Sequence, residues 1–221
     1  MNIICVKWGD LYSSYDVNIL DYMLSKNVSS KYKLYCLTDN NIDINDDINI
    51  INLPHNNDFE TYWNKLYLFN KEIIPVNEFT YFDLDVVIQN NIDDLLSYSS
   101  DNITLINATW KEPEVFKNKF NSSVMNIDLN RDGYIWDEFN KDPDLYMCKY
   151  FGDDDFITKK FKFNTYPDDW FYSTKYGNHP VPMVYLKDPM VCLLNGVKRW
   201  HPKIYYDKFK YLYPEYQYHL S

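Results

Sequence analysis

A chain of 221 residues, 46% hydrophobic and 24% charged, has the make-up of one globular domain whose core needs no disulfide staples. Its net charge of −10 excludes non-specific attraction to nucleic acid or to an anionic membrane surface. A negatively charged substrate would have to be met by local cations or by a metal.

The apolar run Ile3–Val6 is ended by Lys7, too short for a signal peptide, and no stretch is long enough to span a bilayer. A cytoplasmic location without an integral membrane segment is therefore expected. Cys5, Cys36, Cys148 and Cys192 show no paired spacing. Cys5, Cys36 and Cys192 lie in apolar, strand-like runs and read as buried thiols in a reducing compartment. Aromatic residues reach 19%, with 22 Tyr, which suits stacking and hydroxyl hydrogen bonds to a polyhydroxylated ligand.

In chain order, Ile3–Val6 predicts a first strand, followed by the polar turn Lys7-Trp-Gly-Asp-Leu-Tyr12. A helix from about Asp16 to Lys26 would bury Val17, Leu20 and Leu24 on one face. Lys33–Leu37 and Ile48–Leu53 read as strands two and three, separated by an Asn/Asp-rich loop that begins at Thr38-Asp39. The large residues of Tyr62–Phe69 have helical spacing. Further on, Ile103–Asn107, Ser123–Leu129 and Val191–Leu194 read as strands, Tyr134–Asn140 as a short helix, and Gly152 as the start of another. Alternating strands and helices predict an α/β fold, a mostly parallel central sheet flanked by helices. In such sheets ligands bind beyond the carboxyl ends of the strands, where Asp10, Asp39, Asp83 and Asp85 fall.

The stretch Thr80–Ile88 reads as one buried strand interrupted by Asp83 and Asp85. Two residues apart on an extended chain, these carboxylates would sit roughly 7 Å apart on one face. At an effective dielectric of about 20 they would repel by on the order of 2 kcal/mol, and both lose hydration. A Lys or Arg partner in an ordinary ion pair would relieve one of them. A cation between them relieves both, and two hard oxygen donors suit Mn²⁺ or Mg²⁺, which fill their remaining positions with water and phosphate oxygens. A bound diphosphate or phosphoester is the expected ligand.

Phe82-Asp-Leu-Asp85-Val-Val-Ile resembles the nucleophile motif of haloacid-dehalogenase-type phosphatases. That resemblance implies Asp83 as nucleophile, Asp85 as acid/base and Asp153-Asp154 as the distal acidic pair. The motif normally opens its core domain, however, and its usual Gly-Thr is replaced here by Val86-Val87. A longer stretch, from Ile3 to about Trp200, is similar to the GT-A glycosyltransferases, in their glycogenin-like branch (glycosyltransferase family 8) and its bacterial and viral relatives. Trp63–Phe69 looks like the helix before that family's DxD motif, and Asp83-Leu-Asp85 looks like the motif itself. Phe120-Asn-Ser-Ser-Val-Met-Asn-Ile127 is similar to its FNSGV-type strand, and Gly152–Ile157 stands in place of its acidic turn. Asn195-Gly-Val-Lys-Arg-Trp200 resembles its closing segment.

The resemblance implies one GT-A, Rossmann-like domain over 1–221, with a nucleotide-binding half to about 100 and a donor-sugar and acceptor half beyond. It implies a metal-dependent enzyme moving a sugar from a nucleotide diphosphate-sugar, UDP-sugar foremost, to a glycan or other hydroxyl acceptor. Donor contacts would come from Lys7, Trp8, Gly9, Asp10, Tyr12, Asp39, Lys65, Asp83, Asn121, Ser122, Ser123, Gly196 and Lys198. Asp83, Asp85 and, where relatives carry a histidine, Asn195 would hold Mn²⁺ or Mg²⁺, with His201 an outside candidate. At a helix N-terminus Asp153 is expected to cap, leaving Asp154 and Asp155 as candidates for the catalytic base. Trp170 and Asp169, with Asp168, would line the acceptor site. The non-enzymatic alternative is a nucleotide-sugar or glycan-binding module that kept the fold.

Overall fold

The computed structural model describes residues 1–54, 59, 61–108, 118–173, 189–195, 210 and 213–215. Strand β1 (Asn2–Lys7) runs parallel to β2 (Lys33–Thr38), which runs parallel to β3 (Asn49–Asn52). Between the first two, helix α1 (Ser14–Asn27) starts where the Ser13 N–H donates to Asp16 Oδ2 at 2.7 Å, the carboxylate reaching back to the helix start. On the other side of β1 lies β4 (Glu78–Phe82), also parallel, and beyond it the antiparallel β7 (Phe120–Asp128). The seven strands take the order β3-β2-β1-β4-β7-β6-β8, with β6 at Thr104–Asn107 and β8 at Asn164–Thr165. Only β7 opposes the rest, so the sheet is mostly parallel, as the alternating pattern predicts.

The period of two along the strands divides the interior. Ile3, Cys5, Leu34 and Cys36 join a core on one face with α1 residues Val17, Leu20 and Leu24. Ile4, Leu37, Phe79 and Tyr81 join a core on the other face. That second core is covered by a 3₁₀ helix (Thr61–Phe69) and by α4 (Tyr134–Phe139) and α6 (Asp153–Lys160). It is dense in rings: Phe156 lies 5.0 to 6.5 Å, centroid to centroid, from Trp63, Phe139, Tyr146, Tyr150 and Phe161. Short helices α2 (Asp93–Leu96), α3 (Leu129–Asp132) and α5 (Pro143–Lys149) complete the connections. Among the described residues no helix is long and apolar enough to cross a membrane. All four cysteines are free thiols, with Cys5, Cys36 and Cys192 buried.

Two expectations change. Thr80–Ile88 is not one strand: β4 ends at Phe82, and β5 (Val86–Ile88) belongs to a second sheet of order β5-β10-β9, with β9 at Phe171–Ser173 and β10 at Val191–Leu193. The Asp83 N–H donates to Ser123 O at 2.8 Å and the Leu194 N–H to Asp85 O at 3.1 Å, so the acidic tripeptide is the corner where the chain passes between sheets. The two carboxylates therefore do not share a strand face. Tyr62–Phe69 is helical but wound as 3₁₀, opening at Thr61 with φ of 52°, a conformation a β-branched residue rarely adopts. Asp168–Trp170 forms a short 3₁₀ turn leading into β9.

The order 3-2-1-4 reverses direction between β1 and β4, the point where an open α/β sheet offers a crevice at its carboxyl edge. The second core fixes one wall of that crevice. Phe156→Ala should cost about 3–5 kcal/mol in urea unfolding, because the helix that carries the acidic turn loses its main anchor. A cost below about 1 kcal/mol would show that α6 is not held by this cluster.

Candidate functional site

At the switch point lies a cleft of about 610 Å³. From the end of β1 come Val6, Trp8, Leu11 and Tyr12; from the end of β4 and the corner come Tyr81, Asp83, Leu84 and Asp85. Because β7 runs the opposite way, its N-terminal residues Asn121, Ser122 and Ser123 arrive at the same edge. The 3₁₀ helix contributes Thr61, Tyr62, Asn64 and Lys65, the start of α6 contributes Phe151 to Asp154, and Asn195 follows β10. Thr61 and Asn195 both hold positive φ, the latter at 45°, so two of the strained backbone positions border the cleft.

Lys65 is the centre of its charge. Its Nζ lies 3.0 Å from Asp83 Oδ1, 3.2 Å from Ser122 Oγ and 3.7 Å from Asp153 Oδ2. Burial alone would lower its pKa, but Asp153 and Asp83 outweigh burial and hold it above the ordinary lysine value. The Tyr81 hydroxyl donates to Asp83, and burial together with that carboxylate pushes the phenol well up, so it stays a donor. Burial pushes the Asp153 carboxyl up to about 6, against the pull of Lys65 and of a Ser122 hydrogen bond. Asp153 Oδ2 is buried and, among the described residues, accepts no hydrogen bond.

The three aspartates of the acidic turn part company. Gly152 is the residue that opens α6, not Asp153. Asp153 stands three and four residues before Phe156 and Ile157, on their buried face, and that brings it to Lys65. Asp155 turns the other way, 2.7 Å from Lys159 and accepting from the Phe151 N–H at 3.2 Å, so it does the tying expected of Asp153 and does not line the cleft. Asp154 does line it. The spacing to Phe156 and Ile157 was the signal in the sequence for Asp153. None of the motifs pointed to Tyr62 or Phe151.

Other expected site residues take different places. Trp8, Tyr12, Lys65, Asp83, Asp85, Asn121, Ser122, Ser123 and Asn195 line the cleft. Lys7 and Asp39 support it from behind: Lys7 Nζ donates to Asn40 O at 3.1 Å, and Asp39 Oδ2 accepts from the Gly9 N–H at 3.0 Å, holding a turn whose φ of 58° favours glycine. Asp10 is exposed beside that turn. Trp170 does not meet the cleft; it packs against Tyr98 at 5.6 Å and Tyr166 at 6.1 Å, and Asp169 does not line the cleft either. Neighbouring Asp168 accepts from Asn107 at 2.9 Å. Gly196, Lys198 and His201 lie outside the described residues.

The oxygen donors fit a hard divalent cation in part. Asp85 is buried at the cleft wall, and Asn195 Oδ1 accepts from Ser173 Oγ at 2.5 Å, keeping one lone pair. Asp83 is already shared between Lys65 and Tyr81. Among the described residues no three His, Cys, Asp or Glu side chains converge into a protein-only cage. A cation here would draw further oxygens from its ligand.

The chain's fold is found in solved glycosyltransferases. The galactosyltransferase LgtC in complex with donor and acceptor sugar analogues matches with a TM-score of 0.69 at 16% identity, covering 99% of this chain and 97% of that one. The glycosyltransferase GlyE of Streptococcus pneumoniae TIGR4 matches with a TM-score of 0.69 at 13% identity, over 97% of this chain and 63% of its own. The bifunctional glycosyltransferase WbbM matches with a TM-score of 0.55 at 10% identity, over 88% of this chain and 45% of its own. No family model and no curated protein sequence matches the chain. The fold is thus GT-A, as the sequence resemblance implies. The phosphatase resemblance loses its basis, because its aspartate motif sits at a corner between two sheets after three other strands.

Asp153 carries a consequence for stability. Its folded-state pKa of about 6 lies above the 3.8 of a free aspartate, so its protonated form favours the fold and that contribution is lost as pH rises through 6. Asp153→Asn should therefore be more stable than wild type at pH 7, by about 1–3 kcal/mol. The gap should close as pH falls to about 4. Urea unfolding at the two pH values checks it; a variant less stable than wild type at pH 7 contradicts the burial argument.

Proposed function

We propose that the chain is a glycosyltransferase that moves a sugar from a nucleotide diphosphate-sugar, UDP-sugar foremost, to a hydroxyl acceptor. The observation that carries this reading is the switch-point cleft, where the aromatic residues Trp8 and Tyr12 adjoin a buried Lys65 shared by Asp83 and Asp153. Its likeness to enzymes that handle donor and acceptor sugars over nearly the whole chain supports it. A single GT-A domain over 1–221 is part of the same proposal.

In this reading the nucleoside lies against Trp8 and Tyr12. Asp153 Oδ2, buried and, among the described residues, met only by the 3.7 Å ion pair to Lys65, takes a hydrogen bond from a hydroxyl of the donor sugar. Lys65 neutralises the carboxylates on either side, so that an anionic donor can approach a cleft otherwise rich in aspartate. Asp83, Asp85 and Asn195 would hold Mn²⁺ or Mg²⁺, whose charge would stabilise the departing diphosphate. As the bond from the sugar to the diphosphate breaks and a bond to the acceptor oxygen forms, Asp154 takes the proton of the acceptor hydroxyl.

Asp154→Asn should leave donor affinity within a few-fold and cut transfer by about 10²–10⁴. Asp155→Asn should instead lower stability, since that carboxylate ties the turn to Lys159, and should cut transfer far less. The reverse ranking in rate assays on folded variants would move the base to Asp155. Equal, wild-type rates in both would remove the base from this turn.

Metal binding gives an independent check. By calorimetry Mn²⁺ should titrate poorly into the free protein and well with UDP present, because the ligand supplies oxygens the chain does not. Asp85→Ala should abolish the UDP-dependent titration while the protein stays folded. Unchanged titration in that variant would sink the metal assignment.

A further inference from the structure

Resting on the transferase reading, we infer that Phe151 and Tyr62 form a stacking platform for a neutral saccharide acceptor at the mouth of the cleft. Among the described residues, Phe151 is the most exposed large hydrophobic side chain at 77%, and Tyr62 is 46% exposed. Both line the cleft, as does Leu11 at 49%. Three of the seven exposed large apolar side chains among the described residues thus gather at one opening, whereas singly scattered ones need no explanation.

Phe151 is held out by an ordered backbone. Its N–H donates to Asp155 Oδ2, and that carboxylate is pinned by Lys159. The next residue, Gly152, runs close under Tyr62: a Cβ there would meet ring carbon Cε2 at 3.2 Å. The two rings therefore flank the turn that leads directly into Asp153 and Asp154. An acceptor whose hydroxyl reaches Asp154 has to pass them.

Their chemistry selects the ligand. A pyranose ring has one face of C–H groups that packs on an aromatic ring, while its hydroxyls need polar partners. Phe151 and the Tyr62 ring supply the first, Asp154 and the Tyr62 hydroxyl the second. Burial, with Asp153 and Asp154 nearby, raises the Tyr62 phenol and keeps it a hydrogen-bond donor. Lys65 is already held between Asp83 and Asp153, and Asp154, beside the two rings, repels an anionic acceptor. Trp170, packed against Tyr98 and Tyr166, does not line this opening.

Saturation-transfer NMR on the whole chain with UDP and diamagnetic Mg²⁺ tests it, using lactose and maltose as neutral probes and 3′-sialyllactose as the anionic one. The expected result is saturation of the C–H face of a neutral disaccharide and at least a fivefold weaker signal for sialyllactose. Phe151→Ala should lose the disaccharide signal by at least fivefold, Phe151→Trp should keep it, and affinity for UDP should change by less than about twofold in each. Being so exposed, Phe151→Ala should melt within about 2 °C of wild type. Disaccharide binding that survives Phe151→Ala and Tyr62→Ala overturns the platform. Stronger binding of sialyllactose overturns the neutral-saccharide assignment. Failure of the wild type to bind UDP at all overturns the transferase reading instead, so the two failures are told apart.

Discussion

Lys65 shared between Asp83 and Asp153 is the constraint on which the site depends. At 3.0 to 3.7 Å and an effective dielectric of about 20, each attraction is on the order of 5 kcal/mol. Taking each ion out of water costs several kcal/mol. One ammonium cannot repay two carboxylates in full, and the shortfall appears where contact is longest, at Asp153, whose carboxyl is pushed up to about 6. The arrangement persists because three separately packed elements bring it together. The 3₁₀ helix and α6 are locked by the Trp63–Phe139–Phe156 ring cluster, and the corner after β4 is bonded on both sides by Ser123 and Leu194.

The corner also explains why an α/β sheet of ordinary order makes a cleft here. β4 cannot continue past Phe82, since the next residues cross into the smaller sheet with β10 and β9. Crossing there puts Asp83 against the main sheet and Asp85 against the end of β10, so the two carboxylates take different environments. Asp83 becomes the partner of an internal cation, while Asp85 stays at the wall beside Asn195. An evenly extended strand would have made them equivalent.

Much of this was legible in the sequence. The alternation of strands and helices gave the mostly parallel sheet, and β1, β2, β3, β6, β7 and β10 fall within a few residues of the runs that predict them. Trp63, Leu66 and Phe69 are spaced by three, a pattern a 3₁₀ helix and an α-helix both satisfy, so the winding could not be read. β8 and β9 have two and three residues, too few for periodicity to show. Helix α5 carries start signals of its own, Asp142 as cap with Pro143 at the first turn, but they mark only where a helix opens. The acidic turn was found but misphased: three adjacent aspartates point three ways around a helix, and only the spacing to Phe156 and Ile157 decides which one faces inward. Trp170 invites a sugar-platform reading because indoles serve that role, yet it packs partly buried against Tyr98 and Tyr166 and does not line the cleft.

Whether the cleft takes a nucleotide-sugar is tested most directly by thermal-shift measurements of the intact chain against UDP-, GDP- and CMP-linked sugars, with and without Mn²⁺. A ligand at a hundredfold excess over its Kd should stabilise the fold by about 2.7 kcal/mol. The account predicts a rise in melting temperature with a UDP-sugar that depends on Mn²⁺ and is absent with a phosphomonoester. No shift with any nucleotide-sugar, or an equal shift with the phosphomonoester, would contradict it.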